Sequence, residues 1–176
     1  MPNLIDAAPG FDEPLAVLKH CHDRIRRQLK TLERMIEHLR DYGADEQVQQ
    51  AAHSVLRYFQ KAAPMHHEDE EQDLLPGLQR VASGEDAQLL QRILPEILQQ
   101  HQLMADYWLQ LEPQLDVLAH QGGSDLNEAL VEEFVELYTG HMEIEEQQIA
   151  PMAKRLFSAE QMAALGAAMQ ARRGLS

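Results

Sequence analysis

The sequence has little of what marks disulfide-stabilised, nucleic-acid-binding or membrane-spanning proteins. Cys21 is its single cysteine, which excludes an internal disulfide. Lysine and arginine total 15 residues against 29 aspartate and glutamate residues, so the formal net charge is −14. This excess of negative charge argues against nucleic acid or an anionic membrane as a partner. Apolar runs stay well short of the roughly 20 residues that cross a bilayer.

The N-terminal residues lack the features of a signal peptide. Residues 1–11 contain neither basic residues nor an apolar core. Together with the unpaired Cys21, this absence leads us to expect a cytoplasmic protein. We expect residues 1–11 to form an N-terminal arm and residues 12–176 to form one domain.

Aromatic residues are also scarce, at 5% of the chain, whereas hydrophobic residues reach 44%. This composition, rich in Leu, Ala, Gln and Glu, favours an all-α domain. Apolar residues recur in alternating steps of three and four over residues 15–39, 48–66, 94–118 and 130–141. Such spacing is typical of helices in a bundle. We predict an all-α, up-down-up-down four-helix bundle followed by a short C-terminal helix.

Capping residues and prolines predict where the helices begin and end. The predicted starts are Asp12, Asp45, Glu85, Ser124 or Asp125, and Ser158, the last with Gln161 as a capping box. Gly43 should end the first helix, and the last helix should end near Arg173. Pro76 and Gly77 are predicted to end the second helix, with a short turn to Val81 as the alternative, and Pro151 is predicted to end the fourth. Kinks are expected at Pro64, Pro95 and Pro113.

One motif occurs twice in the chain, and it carries metal-binding chemistry. The pattern His-x-x-x-Glu-Glu-Gln begins at His66 and again at His141. On a helix, residues four apart share a face, so His66 pairs with Glu70 and His141 pairs with Glu145. Imidazole and carboxylate together suit iron, manganese or zinc. Two such pairs predict two metal ions or one bridged pair.

Two further histidines occupy matched positions on the inner faces of the first and third helices. His22 and His101 each stand third in their apolar series. Unpaired polar groups are costly in a bundle core, so four inward histidines predict a shared metal site. The remaining helix histidines lie on the opposite faces and are expected to be solvated: His20, His38, His53 and His120.

Two assignments near the repeated motif stay open at this point. His67 and Glu71 also form a pair four residues apart, rotated by about 100° from the apolar face. The second copy has Met142 in place of His67, so the repeat favours His66. The other acidic residues are expected to form a solvated face, with Glu146 as the main alternative to Glu145: Glu68, Asp69, Glu71, Asp73, Glu143 and Glu146.

These motifs resemble those of the hemerythrin-like (HHE cation-binding) domain family. The resemblance runs from Pro14 to about Arg173 and rests on residues 21–25, 66–76, 101 and 141–151. It implies a four-helix bundle with a non-heme di-iron centre, two iron ions bridged by carboxylates and an oxo or hydroxo group. It implies dioxygen or another small oxidant as the partner. The ligands carried over by the resemblance are His22, His66, Glu70, His101, His141 and Glu145.

The chain departs from the oxygen-carrying members of that family at two positions. Those members have a histidine one turn after the one matching His101, where this chain has Ala105. They also use a carboxylate at the position of Glu146, one residue beyond Glu145. Water, Glu71, His67 or a substrate could fill the place left by Ala105. Metal binding is therefore a firmer expectation than reversible oxygen carriage.

Three functions follow from this resemblance. The chain would store or sense oxygen or a small oxidant, or reduce peroxide or oxygen as a di-iron enzyme, or report iron occupancy to a protein partner. An open coordination position favours the first two. A binding protein is preferred over an enzyme.

Overall fold

The computed structural model describes residues 8–120, 122–123 and 125–175, so residues 1–7 of the predicted arm and Ser124 lie outside it. Within these ranges the chain is helical and contains no strand, which confirms the all-α prediction. The α-helices are α1 Pro14–Tyr42, α2 Glu46–Arg57, α3 Ala63–Glu68, α4 Leu75–Val81, α5 Gly84–His120, α6 Glu128–Ile144, α7 Ala150–Leu156 and α8 Ala159–Arg172. Three π-helical segments join some of them: π1 Tyr58–Ala62, π2 Asp69–Leu74 and π3 Glu145–Ile149.

These segments build four helical rods and one additional helix. The first rod is α1 and the third is α5, whereas α2 to α4 with π1 and π2 form the second. The fourth rod consists of α6, π3 and α7. The first and third rods each pack against both the second and the fourth, which closes a four-helix bundle. Helix α8 packs against α1 and π2, as the predicted short C-terminal helix. In the part of the chain that the structure describes, no helix is long and apolar enough to cross a membrane.

Most predicted helix ends are confirmed. Gly43, with a φ of 76°, ends α1, and the Asp45 side chain accepts the backbone N–H groups that begin α2. Ser158 and Gln161 form the predicted capping box of α8. The prediction for the fourth rod is wrong, because Asn127 caps α6 by accepting the N–H of Leu130. Helix α1 is preceded by Glu13 rather than Asp12, with Pro14 as its first residue.

Pro151 does not end the fourth rod, which contradicts the prediction, and Pro76 lies inside the second rod, for which a short turn to Val81 was the alternative. The helices continue to Val81 and Leu156. Each π segment ends directly before an α-helix with proline as its second residue: Pro64, Pro76 and Pro151. Proline lacks an N–H and its ring crowds the carbonyl four residues back. The preceding π turn is wider, as in the Leu75 N–H bond to the Glu70 carbonyl five residues back. We attribute the uninterrupted course of both rods to this widening.

The interior contains two apolar cores separated by a polar layer. The larger core draws on Ile25 to Met35 of α1, α2, Met104 to Ala119 of α5 and most of α6, with Trp108 packed against it. The smaller core draws on the first turns of α1 and α5, on α4, α7 and α8. Between them lie buried polar residues from all four rods: His22, His66, Glu70, His101, His141 and Glu145. The four rods therefore hold one layer of imidazoles and carboxylates between the two apolar cores.

Candidate metal centre

All six residues predicted to bind metal meet in this polar layer. Each is buried, with exposures between 1% for His66 and 6% for His101. The two pairs four residues apart take the expected geometry. The Nε2 of His66 lies 3.0 Å from Glu70 Oε1, and the Nε2 of His141 lies 3.1 Å from Glu145 Oε1.

Contacts between rods bring the two pairs together. The Nε2 of His22 lies 3.0 Å from Glu145 Oε2 and 3.9 Å from Glu70 Oε1. The Nε2 of His101 lies 3.3 Å from Glu70 Oε2 and 3.0 Å from the Nε2 of His141. Both carboxylates thus lie among imidazoles from several rods, as bridging ligands would.

The donors divide into two groups whose ligand atoms lie within 4.8 Å of one another. The first cluster is His22, His66, Glu70 and Glu145. The second cluster is His67, Glu70, His101 and His141. Glu70 belongs to both clusters, so one carboxylate connects the two potential ion positions.

His67 is the member of these clusters that the sequence left open. Its ring stacks on that of His101 with 4.1 Å between ring centres, whereas the His66 ring lies edge-on to His22 at 4.9 Å. Adjacent helical residues point about 100° apart, so each histidine faces a different neighbouring rod. Ala105 is exposed on α5. A third imidazole beside His101 and His141 therefore comes from His67 on the second rod.

The inner atoms of the layer are chemically unsatisfied. Among the described residues, six buried side-chain atoms have no hydrogen-bond partner: His22 Nε2, His66 Nδ1, His67 Nε2, Glu70 Oε2 and both carboxylate oxygens of Glu145. Buried polar atoms without partners are rare and costly. Imidazole nitrogens and carboxylate oxygens that converge in this way fit a metal cation. The layer could therefore hold metal.

The outer ring nitrogens of three histidines are held by hydrogen bonds. The Nδ1 of His22 donates to Glu146 at 2.9 Å, and the Nδ1 of His101 donates to Glu71 at 2.6 Å. The Nδ1 of His141 donates to the Gln100 side-chain oxygen at 2.8 Å. A proton fixed on Nδ1 leaves the Nε2 lone pair facing the layer, as metal-binding histidines require. Glu71 and Glu146 are thus not simply a solvated face, because they orient imidazoles.

Charges within the layer shift its titration. Burial disfavours the imidazolium of His22, yet Glu145 and Glu70 outweigh burial and raise its pKa to about 10. Burial and the neighbouring His101 instead lower the pKa of His67 well below its usual value. The pKa of Glu146 falls to about 2, because hydrogen bonds from Arg26 and His22 outweigh its burial. In the metal-free chain, the proton on His22 offsets part of the carboxylate charge.

Asp69 contradicts the prediction of a solvated acidic face. Its side chain is fully buried, and Arg172 and Arg173 at the end of α8 bind it. The Nη2 of Arg173 lies 2.6 Å from Asp69 Oδ2, and Arg172 also contacts Asp73 at 2.5 Å. The pair of adjacent arginines was the available sequence signal. Their contact with π2 attaches the last helix to the segment that carries Glu70.

The other predicted solvated histidines lie away from the layer. His53 and His120 are exposed, as expected, and their rings meet edge-on at 4.8 Å. His20 is partly buried. His38 is also partly buried, and its Nε2 lies 2.8 Å from Asp45 Oδ2.

A cavity of about 390 Å³ reaches the first cluster from the surface. Its inner end is formed by His22, Glu70 and Glu145, and its wall includes Leu15, Leu18, Leu74 and Ile149. Lys19, Glu146 and Ala150 complete the lining. No residue found solely in the second cluster lines it. The two clusters therefore differ in their access to small molecules.

Comparisons with known proteins agree with this geometry. The model of the family described as Hemerythrin HHE cation binding domain matches residues 13–153. A protein of Haemophilus influenzae, described as an uncharacterized protein, is 31% identical over 163 residues. That alignment covers 93% of this chain and 91% of the relative.

Proposed function

We propose that this chain, which belongs to the hemerythrin HHE cation binding domain family, holds two iron ions and uses them to bind or sense oxygen or another small oxidant. The observation that carries the proposal is the pair of donor clusters that share Glu70. Mixed imidazole and carboxylate donors suit iron. Two clusters with a common carboxylate support a pair of ions rather than one.

The residues present account for both ion positions. His22, His66 and Glu145 would hold one ion with Glu70. His67, His101 and His141 would hold the other with the same carboxylate. When bound, the ions supply electrons and a coordination position for the oxidant. Glu146, Glu71 and Gln100 keep the imidazoles oriented, and the two apolar cores enclose the layer except where the cavity reaches the first cluster.

The position open to an outside ligand belongs to the first cluster. Both clusters contain four residues, so the number of donors does not separate them. The cavity ends on the first cluster and is lined by no residue found solely in the second. A small oxidant would therefore approach along α1 and meet the ion held by His22 and His66.

The test is metal analysis combined with optical spectroscopy of protein loaded anaerobically with ferrous iron. We expect close to two irons per chain, and near-ultraviolet charge-transfer bands that appear on exposure to air and fade on reduction. His53→Ala, which changes an exposed histidine, should behave like the parent. A correctly folded preparation that retains one iron or none would contradict the proposal.

A second function, catalytic reduction of peroxide, is favoured by the size of the cavity. A water molecule occupies about 30 Å³ of the liquid, so about 390 Å³ far exceeds the needs of a diatomic ligand. A catalyst would consume many equivalents of peroxide when a reductant is supplied. A sensor or store would stop after one equivalent per centre.

A further inference from the structure

The cavity at the first cluster has a polar end, an apolar wall and a charged mouth. His22, Glu70 and Glu145 form the end, and each is at most 4% exposed. These side chains carry inner atoms without hydrogen-bond partners. A ligand that fills this cavity therefore places its innermost atoms, here called its head, against these unpartnered atoms.

The wall between mouth and end is hydrocarbon. Leu18, Leu74 and Ile149 are buried at 6%, 3% and 1% exposure and belong to the smaller core. Leu15 and Ala150 are partly buried nearer the surface. A volume of about 390 Å³ lies within the range of roughly 300–1,000 Å³ typical of small-molecule sites. Dioxygen would leave most of this wall without a partner.

The charges around the cavity select against an anionic ligand. Glu70, Glu145 and Glu146 line it, and Lys19 is the single lysine or arginine among the lining residues. The Lys19 ammonium already lies 2.6 Å from Asp23 and 3.7 Å from Glu146. In the metal-free chain, a ligand carboxylate would face three carboxylates, a lysine that is already paired, and His22, whose Nε2 already lies 3.0 Å from Glu145. A charged group placed along the apolar wall would lose its hydration and would find no polar partner there.

We propose that this cavity binds a neutral organic molecule with an oxygen-bearing head and a short hydrocarbon tail. The head lies against His22, Glu70 and Glu145, and the tail lies along Leu18, Leu74 and Ile149. The inference deepens the proposed function, on which it rests for the identity of the head. It names an organic hydroperoxide, the neutral oxidant of this shape, as the class of small oxidant.

Binding is tested with unreactive alcohols on zinc-loaded protein, because zinc accepts the same donors and undergoes no redox change. Calorimetric titrations of 1-butanol, 1-hexanol, 1-octanol and 1-decanol compare chain lengths. Each methylene that enters the cavity should tighten binding about fourfold. This increase in affinity should stop at the chain length whose tail reaches the mouth of the cavity. In metal-free protein, where no bound cation attracts a carboxylate, hexanoate should bind about tenfold more weakly than 1-hexanol, because Glu70, Glu145 and Glu146 repel its charge.

Two substitutions on α1 distinguish alcohol binding in the cavity from non-specific binding of alcohols elsewhere on the protein. Leu15→Trp fills the outer part of the cavity and should weaken 1-hexanol binding about tenfold. Leu39→Trp places the same ring on a partly buried leucine near the other end of α1, packed against the larger core, and should leave binding unchanged. If Leu15→Trp does not fold, Ala150→Met fills the cavity from the fourth rod. Leu15→Ala should enlarge the cavity, so that affinity keeps rising up to a longer alcohol than it does in the parent protein.

The outcomes separate this inference from the proposed function. Zinc content, measured in the same samples, tests the metal centre on its own. Protein that holds two zinc ions yet shows no saturable 1-hexanol binding would overturn the inference alone. Equal affinity of metal-free protein for hexanoate and 1-hexanol, or equal loss of 1-hexanol binding in Leu15→Trp and Leu39→Trp, would also overturn it. Metal-free protein keeps the hydrocarbon wall, so saturable alcohol binding there supports the cavity even if metal binding fails.

Discussion

At the scale of single residues, the two clusters are not equivalent, and Glu70 connects them. His66 and His67 are neighbours in sequence, yet one faces His22 and the other stacks on His101. Removing either imidazole should therefore affect a different ion. Removing Glu70 should affect both.

Metal stoichiometry checks this assignment. We expect Glu70→Ala to lose both ions, and His66→Ala and His67→Ala each to lose one of the two. The physical reason is cluster membership, since Glu70 alone is shared. Elemental analysis of purified variants gives the count, with His53→Ala as the matched control. If His67→Ala keeps two ions, the third imidazole of the second cluster is not a ligand.

Glu146 acts on the centre through His22. It accepts the Nδ1 proton of His22 and is held by both outer nitrogens of Arg26, at 2.9 and 3.0 Å. Glu146→Gln should weaken metal binding by about 10- to 100-fold, the usual effect of losing such a partner. Competition with a chelator measures the change. Glu143→Gln, an exposed position on the same rod, should bind as the parent does, and a parallel loss there would indicate a general charge effect.

At the scale of elements, the π segments explain both what the sequence revealed and what it concealed. The apolar spacing predicted the four rods, and caps such as Asp45 and Ser158 located several ends. Pro76 and Pro151 misled because the rule for proline assumes a regular α-helix, and π2 and π3 precede them. Hydrophobic spacing does not report which backbone carbonyl accepts each bond.

The same limit applies to the candidate site. The repeated motif located four of the seven residues in the two clusters, and the apolar spacing located His22 and His101, because metal ligands share the spacing of the inner face. The sequence left His67 open, because the second copy has Met142 in its place and the spacing does not give the width of the inner face. A rod that packs between two neighbours buries a stripe about 100° wide, enough for two adjacent residues.

Helix α8 stabilises π2 through Asp69. Arg173→Ala removes two hydrogen bonds to this fully buried carboxylate, at 3.1 and 2.6 Å. We expect the free energy of unfolding to fall by about 1–3 kcal/mol, because part of a buried charge loses its partner. Urea denaturation measures this change. Arg155→Ala, which removes an exposed pair with Asp86, should leave the free energy of unfolding nearly unchanged, because water screens such pairs. Equal costs would mean that Arg172 alone suffices for Asp69.

At the scale of the whole molecule, a layer of unsatisfied donors between two cores makes stability depend on metal. Ligand that binds only the folded chain raises its stability by mass action. We expect metal-free protein to remain helical at pH 7 and to melt below the metal-loaded protein, with a gap that grows with metal concentration. Circular dichroism measures both melts. Equal melting temperatures at pH 7 would show that the layer does not bind the added metal.

The same gap should depend on pH in a defined direction. The pKa values of His22 and His101 are raised to about 10 and about 8 in the metal-free chain. Their protons stabilise the metal-free fold below the unfolded pKa near 6.5, and this stability is lost as pH rises through the folded values. Metal must displace these protons. The gap should therefore widen from pH 5 to 8, by about 1.4 kcal/mol per displaced proton and pH unit. A gap that narrows over this range would contradict the assignment.

The division of the interior into two cores also means that the protein carries a local optical reporter. Trp108, the single tryptophan, packs against the larger core, with 5.2 Å between the centres of its ring and that of Phe59. Its fluorescence reports on that half, whereas far-ultraviolet circular dichroism averages over both. With metal across the layer, the halves are joined and should unfold as one cooperative unit. Without metal, the layer between the two cores contains buried polar atoms that lack partners, so the smaller core should unfold first. The circular dichroism transition should then precede the tryptophan fluorescence transition.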